Sequence, residues 1–330
     1  MATRRATVVV GIATWLLFVG VEPGSTGQSS SPTLAFVNGT GGLSLTESGL
    51  VQRPLVGTRS VGVFAWSPDG TCIAYAATSG ALRIVDADDS GQRTLLEKAP
   101  LGDFAWSPDG RWLAYTGVGG TSIQIYVISA EGGKPRPLVR SVPSSVLPTW
   151  SSRGQIAFTS ARSDRAHLYS VSAGGGRPRI LVRRAADSFP AWSPDGRLLL
   201  FQRGECVRRS CGTALSVVRA DGSKLRRLVF LPNHPIGDLD ATWSPDGMRI
   251  AFQRPKSTRF GREIVVVRVD GSGLRVVTKG VYDATSPAWS PDGRTIAYGS
   301  EKSIYLVNAD GSRKRRFVDL GGRPAWRPVP

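Results

Sequence analysis

Seven tryptophans that head similar strings, the first six each followed by the same succession of short apolar runs, predict an all-β fold. The expected architecture is a ring of seven four-stranded antiparallel blades, with the last blade closed by strands from both chain ends. Three observations carry this. The string Phe-Ala-Trp-Ser-Pro-Asp-Gly stands at Phe64 to Gly70 and returns at Phe104 to Gly110. Its tryptophan recurs as Trp66, Trp106, Trp150, Trp192, Trp243, Trp289 and Trp326, spaced 37 to 51 residues apart, and a period near 40 is the spacing of propeller blades. Trp326 heads only a fragment of a repeat, and the three missing runs stand at the other terminus: Leu34 to Phe36, Leu43 to Thr46 and Val51 to Val56.

In chain order, the first element is Met-Ala-Thr-Arg-Arg followed by Ala6 to Val21, a run without an ionisable group. Residues 1–27 read as a signal peptide or, left uncleaved, as an anchor formed by residues 6–21. The apolar run is a little short for a spanning helix, which needs ~20 residues. Small, polar residues 28–32 form a short linker, and residues 33–330 form the propeller. Export follows as the expectation.

Within each repeat the second run has a shared core, for example Ile73-Ala74-Tyr75, Leu113-Ala114-Tyr115 and Ile250-Ala251-Phe252, which reads as a short strand. A third run ends in small polar residues such as Asp-Gly-Ser and a fourth then begins, as at Leu225 to Phe230. The Ser-Pro-Asp-Gly turn is explained by its parts. Proline presets φ for the first central position, aspartate hydrogen-bonds the neighbouring backbone, and glycine accepts a positive φ. Asp69, Asp109, Asp195, Asp246 and Asp292 are therefore assigned structural roles, as are the seven tryptophans, whose flat apolar faces suit packing of blade on blade. Trp150 heads Trp-Ser-Ser-Arg-Gly instead, and a looser turn is expected there.

Trp-Ser-Pro-Asp-Gly, then Ile-Ala-Tyr, then Asn-Ala-Asp-Gly-Ser, then Arg-Arg-Leu resembles the TolB-type, WD-like propeller repeat. The resemblance covers about residues 33 to 328. It implies a protein-binding or scaffolding role in the cell envelope, outside the cytoplasm. This chain departs from TolB in having no separate amino-terminal domain before the blades and in having seven blades where TolB usually has six.

Composition bounds the partners. The formal charge is +17, from 35 Arg and 7 Lys against 25 acids, which draws polyanions if the charges cluster. The tight turns share one face, so long connections gather on the other, where binding residues concentrate. Arg162, Arg165, Arg208, Arg209, Lys256, Arg259 and Arg262 fall in its longest insertions. They form either an anion-binding patch or a solvated surface paired internally by Asp164, Glu205 and Glu263. Arginines on fourth strands, such as Arg136, Arg179, Arg226 and Arg275, read as charges that discourage edge pairing. Nucleic acid is a poor partner, because no recognition motif interleaves these charges.

Cys206 and Cys211 suggest a local disulfide closing a loop. As a metal pair they lack further ligands nearby, and Cys72 reads as inert at a position exposed or half-buried in other repeats. The only histidines are His167, in an expected strand, and His234, in a long loop with Asp238 and Asp240. With those aspartates His234 forms at most a weak oxygen-rich metal site, and it is retained as a candidate ligand-contacting residue. No Gly-x-Ser-x-Gly elbow occurs. The reading is a monomeric, non-catalytic binding propeller without cofactor or bound metal, touching a membrane only through an uncleaved amino-terminal segment. Its alternative is a propeller lyase or hydrolase acting on an acidic saccharide.

Overall fold

Each Ser-Pro-Asp-Gly string folds into the same closed turn. The Ser67 hydroxyl donates to Asp69 Oδ1 at 2.6 Å, and that oxygen also accepts from the Thr71 amide at 3.0 Å. Ser67 Oγ accepts from the Cys72 amide at 3.0 Å, and the Gly70 amide donates to the Ser67 carbonyl at 2.9 Å. Gly70 takes φ +69°, a value that excludes most side chains. The hydroxyl–carboxylate contact returns at Asp109, Asp195, Asp246 and Asp292.

The sequence reading of the Trp150 turn needs correction. Ser151 Oγ takes the place of the missing aspartate, accepting from the Arg153 amide at 3.0 Å, while the Gly154 amide still donates to the Ser151 carbonyl at 3.0 Å. The turn is one residue shorter than its counterparts and equally closed.

The computed structural model describes residues 33–329 apart from 56, 99–103, 120–121, 140, 143, 163–164, 183–185, 208–209, 234–238 and 257–260. The expected signal peptide or anchor and its linker lie outside the described residues. Among the described residues, twenty-eight strands form seven four-stranded antiparallel sheets and there is no helix. Blades 1 to 6 span 61–96, 104–137, 145–182, 187–232, 242–276 and 285–318. Blade 7 joins Gly321–Trp326 to Leu34–Asn38, Leu43–Thr46 and Arg53–Pro54 in that order. Its register pairs Leu34 with Trp326 and Ala35 with Ala325, so the two chain ends are hydrogen-bonded to each other and the ring has no open seam.

The core is distributed over the blade junctions. Seven apolar clusters each draw on two neighbouring blades; Leu82, Ile84 and Leu95 of blade 1, for instance, pack with Trp106, Leu113 and Tyr115 of blade 2. Side chains alternate across a strand, so Ala74 faces blade 2 while Ile73 and Tyr75 face blade 7. This is why all three residues of the Ile-Ala-Tyr core are buried and why the pattern lacks a polar alternate. Cys72, expected at an exposed or half-buried position, is buried in the blade 1–blade 2 cluster, and burial pushes its thiol above the ordinary range.

Two sets of polar contacts stitch the junctions. Indole Nε1 donates to a first-strand carbonyl of the preceding blade in the pairs Trp66–Ala325, Trp106–Ala65, Trp243–Ala191 and Trp289–Thr242, at 3.0 to 3.4 Å. At the outer edge, the fourth-strand arginine reaches the next blade and donates to the carbonyl at the turn between its third and fourth strands. The pairs are Arg53–Ala87, Arg93–Ala130, Arg136–Ala173, Arg179–Ala220, Arg226–Val269 and Arg275–Ala309. These arginines therefore do more than repel foreign strands: they latch six of the seven junctions.

Candidate functional site

The two faces of the ring differ in relief because the hairpins between second and third strands differ in length. Those strands have 6 and 5 residues in blade 1, 8 and 8 in blades 2 and 3, and 10 and 10 in blade 4. They have 7 and 7 in blade 5, 6 and 6 in blade 6, and 5 and 4 in blade 7. At ~3.3 Å per residue, blade 4 rises roughly 16 Å above blade 7. The long-loop face is thus a wall over blades 2 to 5 and a floor over blades 6, 7 and 1.

Near the crest of the wall, Cys206 and Cys211 lie directly opposite each other on adjacent strands and are joined by a disulfide. The backbone of blade 3 closes its hairpin through the pair Arg162 and Arg165. The side chains of those two residues lie outside the described residues, as do Arg208, Arg209, Arg259 and His234. Two other candidates are held within the fold. Lys256 Nζ donates to the Val281 carbonyl and, at 2.9 Å, to the Tyr282 carbonyl. The Arg262 amide donates to Asp283 Oδ1 at 2.9 Å, and its guanidinium lies 3.8 Å from Asp283 Oδ2. Both therefore tie the blade 5 hairpin to the connection that follows it. Acidic neighbours are engaged as well: Arg227 pairs with Glu205 at 2.7 Å and Arg254 with Glu263 at 2.8 Å.

Beneath the blade 4 hairpin lies an ion pair that sequence reasoning missed. Arg203 grips Asp187 in a two-pronged contact, Nε to Oδ1 at 2.6 Å and a terminal nitrogen to Oδ2 at 2.9 Å. The two side chains are only 7% and 0% exposed. Burial pushes the Asp187 carboxyl above its usual range, against the pull of the Arg203 guanidinium. Position 203 follows the Leu-Phe-Gln core of the second strand, where other repeats carry Ala, Gly, Ser or Asn, and Arg254 of blade 5 is its counterpart. That substitution was the available signal.

Left-handed backbone recurs at or just before the first strands that face the central channel. Leu147, Phe189, Asp240, Ser286 and Arg323 each stand three residues before their blade's tryptophan, and each has a positive φ, between 37° and 57°. Such conformations cost ~1–3 kcal/mol and persist only where the surroundings hold them. A cavity of about 270 Å³ lies between Val63, Phe104, Leu147, Phe189, Gln202 and Asp240. Apolar side chains make up most of this lining, and Asp240 within it accepts from the Ser286 hydroxyl at 3.2 Å.

Among the described residues no group of three or more His, Cys, Asp or Glu is placed to hold a metal ion. The arrangement is that of a closed ring presenting a relief of hairpins, the form of a repeat-built propeller. Residues 81–330 match the TolB beta propeller domain, and the chain belongs to that family. No curated protein matches the sequence. Among solved structures it is similar to TolB from Acinetobacter baumannii, at 18% identity and TM-score 0.56 over 91% of this chain and 67% of that one. An oligogalacturonate lyase in complex with manganese has 15% identity and TM-score 0.64, over 81% of this chain and 82% of that one. A Mycobacterium tuberculosis puromycin-hydrolyzing peptidase has 16% identity and TM-score 0.62, over 87% of this chain and 51% of that one. At these identities the likeness is one of fold, and a fold hosts many functions.

Proposed function

We propose that the chain is an exported, non-catalytic propeller that binds a protein partner in the cell envelope through the wall of its long-loop face. The observation that carries this reading is the relief itself: hairpins of paired 8- and 10-residue strands, one clasped by a disulfide, rise from a ring latched at its junctions. Loops on a rigid scaffold bind with little ordering cost. Family membership and the apolar run at Ala6 to Val21 support export. The arginines at 162, 165, 208, 209 and 259 suit carboxylate-rich surfaces, because guanidinium forks match carboxylates. Lys256 and Arg262, held by backbone and Asp283 contacts, are assigned to the scaffold.

The test is cosedimentation of the protein with envelope fractions at low and high salt, beside a variant with Arg208, Arg209 and Arg259 changed to Ala. Salt-sensitive binding that the variant loses supports a charged contact on the wall, since screening shortens to ~3 Å at 1 M salt. Binding retained by the variant at high salt moves the contact to apolar surface elsewhere. The second reading, an enzyme acting on an acidic saccharide, draws on the +17 charge and the lyase fold likeness. Turnover of oligogalacturonate that is abolished by His234→Ala would establish it over the first.

A further inference from the structure

We propose that the floor over blade 7 is a binding site for a linear amphiphilic anion, an apolar chain ending in a carboxylate. The observations are independent of the arginine-bearing wall. The short hairpins of blades 6, 7 and 1 leave a cavity of about 1270 Å³, lined by Val37, Pro54, Val61 and Leu320 with Lys302 and Arg323 beside them. Leu320 is 66% exposed and adds apolar surface to the lining.

Charge at the site is unbalanced. Asp319, the carboxylate in the lining, is engaged by Arg316 Nε at 2.6 Å. Lys302 has no carboxylate within ion-pair distance among the described residues, and Arg323 donates one nitrogen to the Gly62 carbonyl. Two cations therefore border an apolar floor without an opposing free acid. A neutral apolar chain leaves them unanswered, and an ammonium is repelled.

Three lining residues have left-handed backbone: Lys302 in the two-residue turn between Ser300 and Ser303, Arg323 at the first-strand position it shares with Leu147, Phe189, Asp240 and Ser286, and Leu320 at φ 53° just before blade 7. Gly322 lines the same cavity, and a Cβ built on it meets nothing within 4 Å. A larger side chain at 322 therefore points into open space and fills the site without displacing the fold.

The experiment is isothermal titration of the protein with hexanoate, octanoate and octylammonium. Octanoate is expected to bind with Kd on the order of 0.1–1 mM, within what ten heavy atoms supply. Affinity should rise roughly fourfold per methylene from hexanoate to octanoate, and octylammonium should give no heat. Lys302→Gln should weaken octanoate binding about threefold, the scale of an exposed charge contact. Gly322→Leu should abolish octanoate binding with the melting temperature unchanged. The assignment is overturned by equal binding of octylammonium, by affinity independent of chain length, by undiminished binding to a folded Gly322→Leu variant, or by no octanoate heat at about 5 mM. Because the wall arginines play no part here, failure of envelope binding and failure of octanoate binding are separately readable.

Discussion

The arginine latches make opposite predictions from the two roles a fourth-strand cation can have. Changing Arg93, Arg136, Arg179 and Arg275 together to Met keeps most of the apolar stem and removes four inter-blade hydrogen bonds of 2.7 to 3.3 Å. A hydrogen bond from a charged donor contributes ~1.5–3 kcal/mol when buried. These donors are partly or fully exposed, so ~0.5–1 kcal/mol each is the appropriate scale. The sites lie on different blades and should add, giving about 2–4 kcal/mol in total. For ~300 residues unfolding together, 1 kcal/mol is roughly 1.6 °C, so the variant should melt about 3–6 °C lower. If the arginines served only as edge charges, removing four positive charges from a chain of formal charge +17 would relieve self-repulsion and raise the melting temperature. The assay is thermal unfolding by circular dichroism at low ionic strength, with exposed Arg177→Met as the control, expected within about 1 °C of the parent. A quadruple variant that melts at or above the parent temperature refutes the latch argument.

Three further outcomes are expected. A chain beginning at residue 60 removes the three amino-terminal strands of blade 7 and uncovers the neighbouring junction clusters; it should lose its cooperative transition in urea, whereas a retained transition argues against closure of the ring. Arg203→Met alone should cost about 3–5 kcal/mol by stranding the buried Asp187 carboxylate, and adding Asp187→Leu should recover much of it; parallel urea titrations of the parent and the two variants decide. The Asp69 and Asp109 carboxyls are held below their usual range chiefly by the Ser67 and Ser107 hydroxyls. A depressed folded-state pKa adds stability that is present above the unfolded pKa and is lost as pH falls from about 4 through the folded value. The double variant Ser67→Ala, Ser107→Ala should therefore show a shallower loss of melting temperature between about pH 4 and pH 2 than the parent, and an identical slope would count against this origin of the shift.

Much of the ring is legible from sequence because its signals are local. Asp69 bonds residues two positions on either side, so Ser-Pro-Asp-Gly spells its own turn, and the strand that follows is fixed by burial on both faces. Closure was readable for the same reason: three orphan runs at one end match the three runs missing at the other. What the sequence left open lies between repeats. Arg179 finds the Ala220 carbonyl 41 residues away, a partner set by how one blade leans on the next and not by any spacing along the chain. Lys256 and Arg262 look like free cations in a loop, yet the path of the following connection brings Tyr282 and Asp283 to them. The buried Asp187–Arg203 pair, the left-handed residues around the channel and the cavity beside Gly322 belong to the same class. Sequence by itself determined blade number, turn chemistry and the closing blade, through contacts within a few residues or within one repeat. Tertiary structure alone decided which charges are spent inside the scaffold and where the face is hollow, because both depend on packing between blades whose hairpins differ in height.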